Sequence, residues 1–129
     1  MRIFKNAWFE RFARKEKIPD TAIREAVERG AKGQIDADLG GGVLKQRVAR
    51  PGGGKSKGYR TIILFRGGER AFFVYGFAKS SRANIGKDEE QQFKRMAKHV
   101  LALTDEQIAV LLARKQLTEV EGDGEEVSK

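Results

Sequence analysis

Residues 43–79 read VLKQRVARPGGGKSKGYRTIILFRGGERAFFVYGFAK and predict three β-strands. In the first strand, Leu44, Gln46 and Val48 alternate with Lys45 and Arg47, so the two sets face opposite sides of a sheet. The Pro-Gly-Gly-Gly run ends that strand, and KSKG is expected to be a polar loop. YRTIILF is rich in β-branched and aromatic residues, and GGE predicts a hairpin turn into AFFVYGFAK. This last segment is apolar enough to lie in the interior of a sheet.

The residues before this stretch predict a short strand and two helices. Ile3 and Phe4 are expected to form an edge strand. NAWFERFARKEK then predicts a helix that ends near Ile18, because proline disfavours a helical conformation in the residue before it. A second helix is expected over residues 20–32, with Asp20 or Thr21 as its N-cap. Gly40, Gly41 and Gly42 predict a turn or loop before the first long strand.

Two further helices are predicted after Lys87. DEEQQFKRMAKHVLAL has acids at its start and bases later, as the helix dipole favours. Its inner stripe is expected to comprise Phe93, Met96, Ala97, Val100 and Leu103. Thr104 with Gln107 predicts a capping box for a helix over residues 105–117.

The order of these elements indicates an α+β fold. Two N-terminal helices, an antiparallel sheet of about three to four strands and C-terminal helices are expected, with the helices on one face. The chain of 129 residues is long enough for one domain, predicted over residues 1–117. Residues 118–129 are acidic and have little to bury, so we expect a disordered tail.

Positive charge is concentrated in one third of the chain. Between Val43 and Lys87 there are eleven Lys and Arg residues and a single acid, Glu69, while the whole chain carries a net charge of +8. Such segregation is typical of a protein with a polyanionic partner, although a solvated basic face would have the same composition. The cations are Lys45, Arg47, Arg50, Lys55, Lys57, Arg60, Arg66, Arg70, Lys79, Arg82 and Lys87.

Familiar catalytic patterns are missing from the sequence. GGGKSKG contains GKS but lacks the glycine spacing and following helix of a nucleotide-hydrolysing P-loop. The loop is better suited to lie along nucleic acid. His99 stands without a carboxylate or serine partner, and no spacing of metal ligands is present. For Tyr59 two interpretations stay open, a residue that stacks on an unpaired base and a buried one, whereas Phe72–Phe77 is assigned to the core.

Composition also bears on the compartment. The chain has no cysteine, so neither a disulfide framework nor a thiolate metal site is expected. It shows no apolar run of the length of a signal peptide or a membrane span. We therefore expect a cytoplasmic protein without a cofactor.

Three segments resemble a known family. LKQRVAR, GYRTIILF and FFVYGFAKSSRANI resemble the core of the RelE-like toxins of bacterial toxin–antitoxin pairs, within the wider RelE/ParE superfamily. RPGGGKSKGYRT and FVYGFAKS are similar to signatures of a HigB-like group. The resemblance covers residues 1–117 and implies a RelE-like fold.

The resemblance implies the toxin of a type II system, a ribosome-dependent and metal-independent endoribonuclease (an mRNA interferase) that inhibits translation. It also implies silencing by a cognate antitoxin, expected to be a helix-turn-helix protein. In such enzymes basic residues of the sheet carry the chemistry, and these map onto Lys45, Arg47, Arg60 and Lys79. Many relatives have a tyrosine where this sequence has Ile85. Either Tyr59 takes the role of that tyrosine, or this branch of the family acts without one.

Specific roles follow for these residues as hypotheses. Arg60, with Arg47, is expected to stabilise the charge on a phosphorane-like transition state. Repulsion from neighbouring cations favours a neutral amine on Lys45, which makes it the general-base candidate. Lys79 is expected to contact the scissile phosphate or to stabilise the leaving group. The residues expected to bind RNA are Arg50, Lys55, Lys57, Tyr59 and Arg82.

Two alternatives to a nuclease remain open. One is a ParE-like toxin that inhibits DNA gyrase without cutting RNA, on the same fold. The other is an RNA-binding module without catalysis. The basic segment is also expected to attract an acidic segment, either from an antitoxin or from the chain's own tail.

Overall fold

A computed structural model describes residues 1–50 and 54–120, with the backbone alone for residues 54–57. In these ranges the chain forms six strands and four helices. The strands are β1 (Arg2–Asn6), β2 (Ala37–Gly40), β3 (Val43–Arg50), β4 (Gly54–Arg66), β5 (Arg70–Ala78) and β6 (Leu117–Glu119). The helices are α1 (Ala7–Glu16), α2 (Asp20–Ala31), α3 (Lys87–Val100) and α4 (Asp105–Ala113). The fold is α+β, as predicted.

One sheet with the order β2-β3-β4-β5-β1-β6 contains all six strands. The antiparallel meander of β3, β4 and β5 confirms the prediction from residues 43–79. The expectation of an antiparallel sheet with β1 at its edge was wrong. β1 is parallel to β5 and antiparallel to β6, so the sheet is mixed and β1 lies inside it. Its Phe4 is completely buried in the core with α3 and α4.

Helices cover both faces of the sheet, and not one face as expected. One core contains Phe9 and Ile23 of α1 and α2, and the other contains Ala97 and Ile108 of α3 and α4. Successive apolar residues such as Ile62 and Ile63 are both buried because they point to opposite faces. The sequence therefore already carried the signal of a sheet covered on both sides.

The helix boundaries follow local capping chemistry. Asn6 caps α1 by accepting a hydrogen bond from the Phe9 amide at 2.7 Å. α2 begins where expected, but Pro19 is its N-cap and makes no side-chain cap bond, so the prediction of an Asp20 or Thr21 cap was wrong. Asp20 is instead hydrogen-bonded to Lys5 Nζ at 3.2 Å.

The C-terminal part differs from the prediction at its end. Thr104 and Gln107 form the expected capping box of α4. The helix ends at Ala113, before the predicted 117, because the chain turns at Lys115, with φ of 60°, into β6. Residues 118–120, expected to begin the tail, belong to this last segment, and Val120 is buried. The remainder of the tail lies outside the described residues.

Two smaller expectations also need correction. KSKG was predicted to be a loop, but β4 begins at Gly54 and includes it. Met96, assigned to the inner stripe of α3, is 36% exposed. Gly58 meets a local requirement: a Cβ there would lie 2.2 Å from the Val48 carbonyl oxygen, where β3 and β4 shift register. No helix in the described ranges is long and apolar enough to cross a membrane.

Candidate functional site

Strand register places the predicted cations on one face of the sheet. Arg47 of β3 lies opposite Arg60 of β4, and Arg60 in turn lies opposite Phe77 of β5. Two positions along, Lys45 lies opposite Ile62. Because side chains two residues apart share a face, Lys45, Arg47 and Arg60 project to the same side. The structure thus brings together three of the four predicted catalytic residues.

Arg60 occupies the middle strand of this face. It is half-buried, and its Nη1 is shielded from solvent without a hydrogen-bond partner in the part of the chain that the structure describes. No acid of the described ranges forms an ion pair with it. A buried donor without an acceptor is costly, and an anionic oxygen would satisfy it. Arg60 is therefore poised to bind an anion.

Lys45 is held by the loop that follows β5. Its Nζ donates a hydrogen bond to Asn84 Oδ1 at 3.1 Å, and the same oxygen accepts from the Ile85 amide at 2.8 Å. Arg82 Nε donates to the Asn84 carbonyl at 3.0 Å and so fixes this part of the loop. The partner of Lys45 is neutral, so its charge is not cancelled there.

Arg47 is exposed, and an acid lies near it. Its Nε is 3.8 Å from Asp36 Oδ1, and its backbone amide donates to Asp36 Oδ2 at 2.5 Å. The ion pair is long and solvent-accessible, which makes it weak. Arg47 can therefore turn toward a stronger anion beside Arg60.

Arg82 has a different environment from the other cations. It donates to both oxygens of Glu89, at 2.6 and 3.1 Å, and to the Tyr75 hydroxyl at 3.1 Å. Its guanidinium also lies over the Phe77 ring, 5.4 Å from the centroid. The hydrogen bonds from Arg82 hold the pKa of Glu89 below its ordinary value, and those to Glu89 and Tyr75 raise the pKa of Arg82. Its main contacts organise the loop and the start of α3.

The fourth predicted catalytic residue, Lys79, and the remaining predicted RNA contacts are dispersed. Lys79 is exposed in the turn after β5. Arg50 is exposed at the end of β3, with its guanidinium 5.9 Å from the Tyr59 ring centroid. The side chains of Lys55 and Lys57 lie outside the described residues.

Tyr59 is the predicted RNA contact that the structure contradicts. It is 2% exposed and packs in the core formed with α1 and α2, on the face opposite Arg60. Its hydroxyl donates to Glu16 Oε1 at 3.0 Å. Burial, together with this hydrogen bond, raises the pKa of Tyr59. A ring in this position cannot stack on RNA or substitute for a tyrosine at Ile85.

Sequence reasoning missed two polar side chains of this face, Tyr75 and Asn84. Tyr75 was assigned to the core, and its ring does pack against the core with α3 and α4, but a β-bulge inserts Val74 into β5 and aligns Tyr75 with Ile62, so that its hydroxyl lies beside Arg82. Regular pairing across the GGE turn would have placed Tyr75 opposite Thr61, on the other face, so no sequence signal marked its position. Asn84 lies in a loop with no periodic pattern, so no signal marked it. Ile85 itself packs against the core under α3.

Comparison with known proteins agrees with the resemblance. The model of the family described as "RelE toxin of RelE / RelB toxin-antitoxin system" matches residues 1–120. No curated protein matches the chain significantly. Within the described ranges, no group of three or more His, Cys, Asp or Glu residues could hold a metal ion.

Proposed function

Because the chain belongs to the RelE family of toxins, we propose that it is a ribosome-dependent endoribonuclease that cleaves mRNA and thereby inhibits translation. Family membership makes it the toxin of a toxin–antitoxin system, with a cognate antitoxin as partner. The observation that carries the proposed activity is the buried Nη1 of Arg60, which has no partner among the described residues and lies on the same face as Arg47 and Lys45.

RNA supplies its own nucleophile. In the proposed reaction the 2′-oxygen forms a bond to the adjacent phosphorus, and the bond to the 5′-oxygen of the next nucleotide breaks. The products are a 2′,3′-cyclic phosphate and a free 5′-hydroxyl. The enzyme must align these atoms and stabilise the extra negative charge on the phosphate.

Arg60 is suited to hold that charge. Its side chain is partly shielded from water, which strengthens its attraction to an anion. Arg47 lies directly across the strand pair, so two guanidinium groups can bind the non-bridging oxygens of one phosphate. Neither needs to break a strong ion pair within the described residues.

Lys45 is the proposed base. Its Nζ lies on the same face and is oriented by the Asn84 side chain. The neutral amine would accept the proton of the 2′-hydroxyl, and the 5′-oxygen would take up a proton from water as it leaves. Lys79, exposed at the end of β5, is free to contact the leaving group or the scissile phosphate.

Charge also supports the proposed partners. The site face attracts mRNA and ribosomal RNA, and the same cations would attract an acidic segment of the antitoxin. We propose that this antitoxin is a helix-turn-helix protein. An acidic chain lying over Arg60 and Arg47 would block the phosphate site and silence the toxin.

The proposal is tested by mapping 5′ ends of transcripts after induction of the protein in growing cells. New ends within translated frames, absent from untranslated versions of the same transcripts, are expected. Intact mRNA accompanied by DNA damage would contradict the nuclease and favour an inhibitor of gyrase. Binding of mRNA without new ends would identify an RNA-binding module.

A further inference from the structure

The outer surface of α1 carries an open groove that the proposed active site does not use. It has a volume of about 210 Å³ and is lined by Trp8, Arg11, Phe12 and Lys15. These positions recur at helical spacing, so their side chains lie on one face of the helix. Aromatic rings form one wall, cations form the other, and no acid lines it.

Trp8 is the main aromatic group of the groove. It is 38% exposed and is the single tryptophan of the chain. Its ring stacks on Phe12, with centroids 5.3 Å apart and planes 18° apart. Gly76 of β5 lets Phe12 pack against the strand, because a Cβ there would lie 2.8 Å from Phe12 Cε2. The groove is therefore built on a rigid support.

The two cations of the groove are available to a ligand. Arg11 and Lys15 are exposed, and neither forms an ion pair within the ranges that the structure describes. The other basic residue of this part of α1, Arg14, is by contrast bound to Glu10 at 2.7 Å. The charge beside the aromatic wall is thus not neutralised.

Tyr75 connects the groove to the proposed active site. Trp8 packs against Tyr75, with ring centroids 4.6 Å apart. Tyr75 in turn accepts the hydrogen bond from Arg82 and lies on the same face as Arg60. β1 pairs with β5 only as far as Phe73, and beyond that point Phe12 of α1 lies against Gly76 of β5. A strand bound at Arg60 can reach the groove by passing Tyr75.

We propose that this groove is a subsite for one nucleotide of a single-stranded RNA whose scissile phosphate lies at Arg60. The base contacts the aromatic wall, and Arg11 and Lys15 bind its flanking phosphates. The inference rests on the proposed function. An acidic peptide has matching charge, but a peptide helix needs a long apolar groove, whereas this one is short and walled by flat rings.

Trp8 is itself the probe for the test. The full wild-type chain is titrated with a short 2′-O-methyl oligoadenylate, which lacks the 2′-hydroxyl nucleophile and cannot be cleaved, while tryptophan fluorescence is followed. Quenching is expected. The double variant Arg11→Gln/Lys15→Gln should bind the oligonucleotide about tenfold more weakly. Each lost phosphate contact should reduce the slope of log K against log salt concentration by about 0.7, so the slope should become shallower by about 1.4.

A matched control removes the same charge elsewhere. Lys98 and Arg114 are exposed on the α3 and α4 side, so Lys98→Gln/Arg114→Gln should change affinity less than twofold. If both double variants lose the same affinity for the oligonucleotide, net charge alone explains the effect and the proposed subsite is wrong. Quenching by an oligoglutamate but not by the oligonucleotide would assign the groove to an acidic peptide and overturn it as well.

Cleavage assays on translating ribosomes separate the two proposals. If the wild-type protein cleaves mRNA but the oligonucleotide does not quench Trp8, the subsite is wrong and the proposed function stands. If the oligonucleotide quenches Trp8 with the expected salt dependence but no transcript is cut, the proposed function fails and an RNA-binding groove remains.

Discussion

Arg47 and Arg60 lie directly opposite each other on β3 and β4, two guanidinium groups on one face of the sheet. Like charges in this arrangement destabilise a strand pair. Asp36 relieves Arg47 only through a 3.8 Å contact, and Nη1 of Arg60 has no partner among the described residues. Destabilising arrangements of this kind usually occur at functional sites, and a bound phosphate would neutralise the repulsion between Arg47 and Arg60.

Arg60→Ala should therefore separate activity from stability. We expect cleavage on translating ribosomes to fall by about 10²–10³-fold, as when a main donor to a transition-state charge is removed. The free energy of unfolding should stay the same or rise slightly, because Nη1 gives up no hydrogen bond of the described structure. Primer extension on a defined mRNA and urea denaturation measure the two quantities.

Arg66→Ala is the matched control for this variant. Arg66 lies on the same strand and the same face as Arg60, but at the other end, where it contacts Glu69 and the Leu101 carbonyl. Cleavage should remain within about threefold of wild type. If it falls as far as in Arg60→Ala, general charge on the sheet, and not a phosphate site, explains the activity.

The contact between Asn84 and Lys45 leads to a second prediction. Asn84→Ala should lower kcat about tenfold with little change in KM, because the amine loses its only described hydrogen-bond acceptor and its orientation. Asn84→Asp should hold the amine protonated, so activity should return only at higher pH. The pH–rate profiles of both variants test this, with Ser80→Ala, in the same loop, as control. Identical profiles for Asn84→Asp and wild type would rule out Lys45 as the base.

The part of the fold that the sequence predicted is the part set by local signals. The alternation of apolar and basic side chains in residues 43–50 and the GGE turn predicted the meander of β3, β4 and β5. The register of that meander aligns Arg47 with Arg60. The parallel pairing of β1 with β5 joins residues that are distant in the sequence, so no local pattern indicated it. β6 is three residues long and too short for a periodic signal.

The two tyrosines show the same limit within the candidate site. Tyr59 follows a glycine in a basic segment, which suggested exposure, yet strand alternation turns it away from Arg60 into the core. Tyr75 stands in an apolar run, which suggested burial, yet the bulge at Val74 places it beside Arg82. Which face a residue occupies depends on the bulge, and a bulge changes register without a marker in the sequence.

Tyr59→Phe tests the corrected position of that residue. Loss of the hydrogen bond to Glu16 should lower the free energy of unfolding by about 1 kcal/mol. RNA affinity and cleavage should stay within twofold of wild type, because the ring lies on the other face. Urea denaturation and binding to an uncleavable oligonucleotide measure these effects. If Tyr59→Phe weakens RNA binding and leaves the stability unchanged, Tyr59 is part of the RNA-binding surface and the corrected position is wrong.

Glu10 should make the stability of the fold depend on pH. Its Oε1 is 2.7 Å from the Nζ of the buried Lys5, and its Oε2 accepts from Arg14 at 2.7 Å. Burial raises the pKa of Glu10, but the ion pairs with Lys5 and Arg14 outweigh it, so the pKa lies below the ordinary 4.5. A carboxyl group with a lowered pKa stabilises the folded state above its unfolded pKa, and that contribution is lost as the pH falls through the folded value.

Glu10→Gln should therefore lower the free energy of unfolding by on the order of 1 kcal/mol at neutral pH, because Lys5 loses one of its two acidic partners. The difference in free energy of unfolding between the variant and wild type should narrow below pH 4.5, the pKa of Glu10 in the unfolded state. This gap should close as the carboxyl of Glu10 becomes protonated in both the folded and the unfolded state. Urea denaturation followed by circular dichroism across the acidic range measures the gap. Glu28→Gln, an exposed change on α2, should leave the stability close to wild type throughout. A gap for Glu10→Gln that is as wide in acid as at neutral pH would mean that packing, and not the charge of Glu10, produces the effect.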